Sequence, residues 1–257
     1  MSEVLSIMEV VKMINDETKR KLREMKLDEV IDFIEMQNSM TFFIQLTFDE
    51  KLQTMVDYLY QEKHNGRVQR LMRLSKLRLP KAEVNDIYYG QRGLDRSIIS
   101  ELATCQFVDN HTNIIFQGFT GSGKTYLSCA LGKQACKRHF TTRYIRVPDL
   151  LMEFGDATLV QNGITKILKK YSNFRLLLLD EWLLDDISED EQHFLFELVE
   201  RRHDNTSTIF CTQYRKDDWH SRLGGGIHAD SIMDRIVHNA VWIETGSMNM
   251  RAYYSVK

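Results

Sequence analysis

Asn113-Ile-Ile-Phe-Gln117, followed by Gly118-Phe-Thr-Gly-Ser-Gly-Lys-Thr125 and then by the apolar helical stretch from Tyr126 to Arg138, decides the fold. The first five residues read as a buried strand, and the next eight match GxxxxGK[ST]. Strand, glycine loop and helix, in that order, are the setting in which this motif cradles phosphate. Gly118, Gly121 and Gly123 let the backbone curl until its N–H groups converge, and the helix start adds a positive dipole. On this reading Gly118, Phe119, Thr120, Gly121, Ser122, Gly123, Lys124, Thr125 and Tyr126 bind ATP. Lys124 reaches the β and γ phosphates, and the Thr125 hydroxyl holds Mg²⁺.

Outward from the loop, short apolar runs alternate with helical stretches. The runs are 113–117, 143–147, 175–179, 208–212 and 240–244. That alternation predicts an α/β domain with a parallel sheet. Upstream, residues 1–79 are helix-compatible, with helices expected at 17–38, 47–63 and 67–77. Leu52, Met55, Val56, Leu59 and Tyr60 recur there at helical spacing. The expected organisation is a helical N-terminal domain over 1–79 for DNA or partner binding, a connector over 80–112 and an ATPase core over 113–257.

Arg175-Leu-Leu-Leu-Leu-Asp180-Glu181 supplies the second half of the site. Ligands of open α/β sheets bind at the C-terminal tips of strands, where these two acids fall. Asp180 is expected to hold Mg²⁺ through water, and Glu181 to take the proton of the attacking water. The run 208–212 ends at Gln213, whose amide can orient that water. Asp234-Arg235 lies on a predicted helix over 229–238. Arg235 is either a surface ion pair or an arginine finger acting in a neighbouring subunit, and Arg251 poses a similar choice within its own chain.

Composition bounds the rest. The 257 residues carry a formal net charge of −2, with 43% hydrophobic and 27% charged residues. This is the profile of an ordinary soluble protein, so attraction to nucleic acid must come from a local patch. No apolar run approaches the roughly 20 residues needed to span a bilayer. The first residues lack a signal-peptide layout, so a cytoplasmic protein with no membrane partner is expected. Cys105, Cys129, Cys136 and Cys211 form no CxxC pair, which predicts buried thiols rather than zinc ligands or disulfides. Lys63, Arg67, Arg70, Arg73, Lys76, Arg78 and Lys81 make a basic run that is either a helix lying along duplex phosphates or a solvated face. Lys166, Lys169 and Lys170 are a second DNA-binding candidate.

With the phosphate loop, several segments fall in a telling order. They are Phe194-Leu-Phe-Glu-Leu-Val-Glu-Arg-Arg-His203, Ser207-Thr-Ile-Phe-Cys-Thr-Gln213, Asp217-Asp-Trp219 and Ile232-Met-Asp-Arg-Ile-Val-His238. Together they resemble the IstB-like helper ATPases of bacterial insertion sequences, relatives of the DnaC and DnaI helicase loaders. Lys21-Leu-Arg-Glu-Met-Lys-Leu27 and the segment 67–80 extend the resemblance over nearly the whole chain.

The resemblance implies an AAA+ P-loop core with a five-stranded parallel sheet behind a small helical domain. It implies ATP-dependent assembly on duplex DNA as a ring or helical homo-oligomer, and recruitment of an integrase-type transposase. It assigns nucleotide and Mg²⁺ to Lys124 and Thr125, the acidic pair to Asp180 and Glu181, the sensor position to Gln213, the arginine finger to Arg235 and the second sensor to Arg251. The family's usual sensor is Asn, its usual Ser-Tyr-Arg reads Met248-Asn249-Met250-Arg251 here, and only Ala252 to Lys257 follow, so a reduced lid is expected. A replicative helicase loader is the alternative that shares this engine. An ATP-binding structural switch with negligible turnover is a third reading, against which Glu181 argues.

Overall fold

The computed structural model describes residues 14–39, 43, 45–90 and 92–255. The first residues, read above for the absence of a leader, lie outside the described ones. The chain divides into two compact units between Arg67 and Val68. The sequence reading placed this boundary at 79.

In the first unit, α1 (Asp16–Glu24) starts on Asn15, whose side chain accepts from the Thr18 N–H at 2.7 Å. It ends where Lys26 turns left-handed at φ 58°. The Leu27 N–H reaches the Leu22 carbonyl and the Lys26 N–H that of Arg23, a closed C-terminal cap. The single helix expected over 17–38 is therefore two, because this cap intervenes before α2 (Asp28–Ser39). Phe33 anchors the unit's core, with its ring 6.0 Å from Phe43 and 5.3 Å from Tyr58. Helix α3 (Phe48–Ser75) begins with a reciprocal cap between Thr47 and Glu50. It is continuous through 63–67, where a break was expected: Gly66 is accommodated within it.

The second unit holds α4 (Arg96–Leu102), α5 (Gln106–Asp109), β1 (Asn113–Gln117), α6 (Lys124–Lys137), β2 (Thr142–Arg146) and α7 (Val147–Thr158). Then follow α8 (Gly163–Ser172), β3 (Leu176–Trp182), α9 (Glu189–Arg202), β4 (Ser207–Thr212), α10 (Lys216–Arg222), α11 (Gly226–Val237), β5 (Ala240–Glu244) and α12 (Met250–Ser255). The five strands form one parallel sheet in the order β2-β3-β4-β1-β5. Helices cover both faces, which is why the strands are apolar runs rather than alternating ones.

Alternate residues of each strand feed two separate cores. Ile114, Phe116, Leu176, Leu178, Ile209 and Cys211 belong to one. Ile115, Leu177, Leu179 and Phe210 belong to the other. The segment 80–112, expected to be a connector, is part of the first core: Ala82, Val84, Ile87, Leu94, Ile99 and Leu102 are buried in it. The segment therefore shares one core with Ile114 and Phe116 of β1 and with Leu176 and Leu178 of β3.

Among the described residues no helix is long and apolar enough to cross a membrane. All four cysteines are free and buried. Burial pushes the Cys105 and Cys129 thiols up to about 11, so they are weak nucleophiles near neutral pH.

Candidate nucleotide site

The loop between β1 and α6 sits where the sheet order places a crevice, with β1 flanked by β4 and β5. Gly121 and Gly123 have φ of 88° and 92°, a region that side chains rarely adopt. A Cβ on Gly121 would also meet Asn249 Oδ1 at 2.6 Å. Beneath the loop, Ser122 Oγ and Thr245 Oγ1 share a hydrogen bond of 2.6 Å. From the far side, the Met250 N–H donates to the Gly121 carbonyl at 2.8 Å.

Lys124 Nζ folds back on the loop, donating to the carbonyls of Gly118 at 2.6 Å and Phe119 at 2.9 Å. Burial pulls its pKa below the usual lysine value, with Arg251 acting in the same direction and Asp180 opposing. Carbonyl oxygens are weak partners for an ammonium held out of water, so an anion at this place is strongly favoured. Thr125 Oγ1 donates to Asp180 Oδ2 at 2.8 Å. Tyr144 Oη donates to the same oxygen at 2.8 Å. Burial, then Asp180, raises the Tyr144 pKa, so the hydroxyl stays protonated and remains a donor.

Asp180 is 3% exposed and also accepts from the Glu181 N–H at 3.0 Å. The β3–β4 ladder is irregular between Leu179 and Trp182, and Glu181 has φ 60°. This local kink separates the two acids. Asp180 stays buried against Thr125, while Glu181 turns toward Arg146 and Arg78.

A cavity of about 820 Å³ collects the site. It is lined by Thr120, Gly121, Gly123, Lys124, Thr125 and Tyr126 of the loop, by Asp180 and Glu181, and by Gln213 and Arg251. Gln213 Oε1 accepts from Thr120 Oγ1 at 2.9 Å. Gly118 and Ser122 support the loop from behind, and the Phe119 side chain is 39% exposed. The residues fit a nucleotide with a divalent cation: a left-handed glycine cradle, a desolvated ammonium, and a hydroxyl–carboxylate pair of hard oxygen ligands. No cluster of three His, Cys, Asp or Glu side chains suited to a metal occurs among the described residues. A Mg²⁺ held by one carboxylate, one hydroxyl and substrate oxygens needs none.

Other expected residues lie elsewhere. Arg235 does not line this cavity in its own chain. It is ion-paired with Glu200, donates to the Ser231 carbonyl at 3.0 Å and lies 5.4 Å from the Phe196 ring centroid. Arg78, grouped from sequence with the DNA-binding run, instead lines the nucleotide cavity and faces Glu181 at 3.6 Å. Lys63, Arg67, Arg70, Arg73 and Lys76 are exposed and take part in no ion pair among the described residues. Lys166 and Lys169 are also exposed, whereas Lys170 is held by Glu153 at 2.7 Å. The sequence reading missed Asp86, Ile87, Tyr88, Arg92 and Tyr254, which line the same cavity. Their only local signal is the aromatic pair Tyr88-Tyr89 beside a charged turn.

A parallel five-stranded sheet with this loop and acidic pair defines an AAA+ P-loop protein. Similar folds occur in the crystal structures of DnaI, 23% identical with a TM-score of 0.56 over 71% of this chain and 93% of that one, and of the DnaC helicase loader, 22% identical with a TM-score of 0.54 over 64% and 96%. Residues 20–257 match the family described as IstB-like ATP binding protein, and the chain belongs to that family. Its relatives include the insertion sequence ATP-binding protein y4pL of Sinorhizobium fredii, 32% identical over 80% of this chain and 84% of that protein. The IS21 ATP-binding protein of Pseudomonas aeruginosa is 32% identical over 70% of this chain and 69% of its own length.

Proposed function

We propose that this protein hydrolyses ATP in the cavity above β1 and β3, assembles on duplex DNA, and delivers that DNA to an integrase-type transposase. The observation that carries the proposal is the convergence of Lys124, Thr125, Asp180, Glu181, Gln213 and Arg251 on one cavity. In this reading Lys124 neutralises the β and γ phosphates, and Gln213 orients the attacking water. Glu181 accepts the proton of that water once it is free of its arginine partners. Thr125 and Asp180 hold Mg²⁺, which supplies charge neutralisation to the phosphates. Arg251 acts on its own chain's nucleotide. Arg235, remote from its own cavity, acts on a neighbour's in a ring or filament.

The exposed basic side chains Arg67, Arg70 and Arg73 are the proposed duplex-binding group, with Lys63, Lys76, Lys166 and Lys169 as further candidates. The names of the relatives, which refer to insertion sequences, support a transposase partner over a replicative helicase. A cytoplasmic location goes with this role. The test is binding of unrelated duplexes across a salt series. Arg70→Glu with Arg73→Glu should weaken all duplexes alike. It should also flatten log affinity against log salt by about 0.9 per lost phosphate contact. An unchanged slope refutes this DNA surface.

A further inference from the structure

Three arginines of the second unit are buried without an ion-pair partner among the described residues. Arg143, 9% exposed, donates from Nη1 to the Leu74 carbonyl at 3.4 Å and leaves its Nε unpartnered, but it does not line the nucleotide cavity. Arg202, 4% exposed, spends its guanidinium on the carbonyls of Tyr171, Phe174 and Ser207 and on Thr208 Oγ1. Each of its three nitrogens has a partner, so it is a brace between α9 and the start of β4. Arg92 is equally buried, at 4% exposed. Its Nη2 donates to the Ser122 carbonyl at 2.5 Å and its Nη1 to the Tyr88 carbonyl at 3.2 Å. Its Nε, out of contact with water, has no hydrogen-bond partner.

Arg92 also lines the nucleotide cavity, as Arg202 does not. A Cβ placed on Gly123 would lie 2.9 Å from Arg92 Nη2, so the guanidinium is pressed against the last glycine before α6. A charge removed from water is costly unless an anion answers it. No carboxylate among the described residues answers this one, and the cavity it borders is shaped for phosphates.

We propose that Arg92 is a nucleotide-binding residue, the counter-charge on the helix side of the loop for the phosphates that ATP and ADP share. This rests on the ATP-site reading above. The assignment to the shared phosphates follows from where the loop is touched. Gln213 meets it at Thr120, on the β4 side, whereas Arg92 meets it at Ser122 and Gly123, against the start of α6. In this loop–helix arrangement the backbone of the loop cradles the α and β phosphates, the ones ATP and ADP share, while the lysine reaches on to the γ phosphate. Arginine suits the place because its planar fork can hold the loop carbonyl with one edge while another faces an anion.

The experiment titrates ADP and a β,γ-methylene analogue of ATP into the full chain carrying Arg92→Met, Arg92→Lys or Lys124→Ala. Melting is recorded with and without nucleotide. Arg92→Met should weaken both nucleotides by a similar factor, about tenfold or more. The nucleotide-free melting point should be unchanged or higher, since an unanswered buried charge is gone. Arg92→Lys, which keeps the charge, should recover part of the affinity. Should Arg92→Met fail to fold, Arg92→Lys decides alone: weakened ADP binding without loss of the nucleotide-free melting point supports the inference. Wild-type affinity in a folded Arg92 variant, or a lowered melting point with affinity intact, overturns it and makes Arg92 a brace like Arg202. If Lys124→Ala also binds normally, the ATP-site reading itself fails. If only Lys124→Ala weakens binding, the failure is confined to Arg92.

Discussion

Arg146 Nη2 lies 2.7 Å from Glu181 Oε2, and Arg146 Nε donates to the same oxygen at 2.8 Å. Arg78 Nη1 approaches the other carboxylate oxygen at 3.6 Å. A carboxylate held from both sides is fixed in orientation, and an arginine must let go before it can swing toward an attacking water. The proposed base is thus restrained before any nucleotide arrives. The left-handed backbone at Glu181 turns its side chain toward these partners.

Arg146→Met should therefore raise ATP turnover measured without DNA. The pair is partly open to solvent, with side-chain exposures of 40% and 24%. A pair of that kind is worth up to about 1 kcal/mol, which corresponds to a gain of about two- to fivefold. Phosphate release by the purified variant checks this. A fall in turnover would mean that Arg146 holds Glu181 in its working position instead.

Arg235 gives a test of action between subunits. Arg235→Ala keeps its own Lys124, Thr125 and Asp180, so it should bind ATP yet hydrolyse it poorly. Mixed with Lys124→Ala, it should regain part of the activity, because some interfaces then pair an intact loop with an intact arginine. Absence of recovery, with sedimentation showing that mixed assemblies form, would leave Arg235 as the ion-pair partner of Glu200 alone.

Stability should show a pH dependence traceable to Glu83. Its carboxylate meets Lys133 Nζ at 2.5 Å and Lys137 Nζ at 3.1 Å. The Lys133 hydrogen bond, aided by Lys137 against the cost of burial, holds the Glu83 pKa below its usual 4.5. A lowered carboxylate pKa contributes stability above the unfolded value and loses it as pH falls through the folded one. Glu83→Gln should cost about 1 kcal/mol at pH 7. The gap from wild type should close as pH is taken below 4.5. A gap independent of pH in chemical denaturation would show that the loss is one of packing rather than charge.

The parts of this site that were legible from sequence are those written locally. The loop and Gln213 each follow a strand and the acidic pair lies near the end of one, and strands buried on both faces announce themselves as short apolar runs. β1 and β5 lie where the pattern put them, and β2, β3 and β4 are displaced by at most three residues at either end. Contacts made across the chain were not legible. The segment 80–112 has no long periodicity of its own, since its apolar residues join a core shared with β1, β3 and α6. Arg92, Tyr88 and Tyr254 reach the cavity from both ends of the domain's sequence, and no spacing rule joins them. Arg78 sat in a basic run whose charges look alike until the fold turns one of them toward Glu181. In the first unit, the cap at Lys26 was hidden because its conformation, ordinarily a glycine's, is adopted here by lysine.

The most direct test of the central claim is ATP retention and turnover in Glu181→Gln. The substitution preserves shape and leaves Lys124, Thr125 and Asp180 untouched, removing only the group proposed to accept the proton. If this cavity hydrolyses ATP as described, the variant binds ATP as tightly as wild type while phosphate release falls by about 10²-fold or more. Wild-type phosphate release from Glu181→Gln, with ATP bound, would contradict the account.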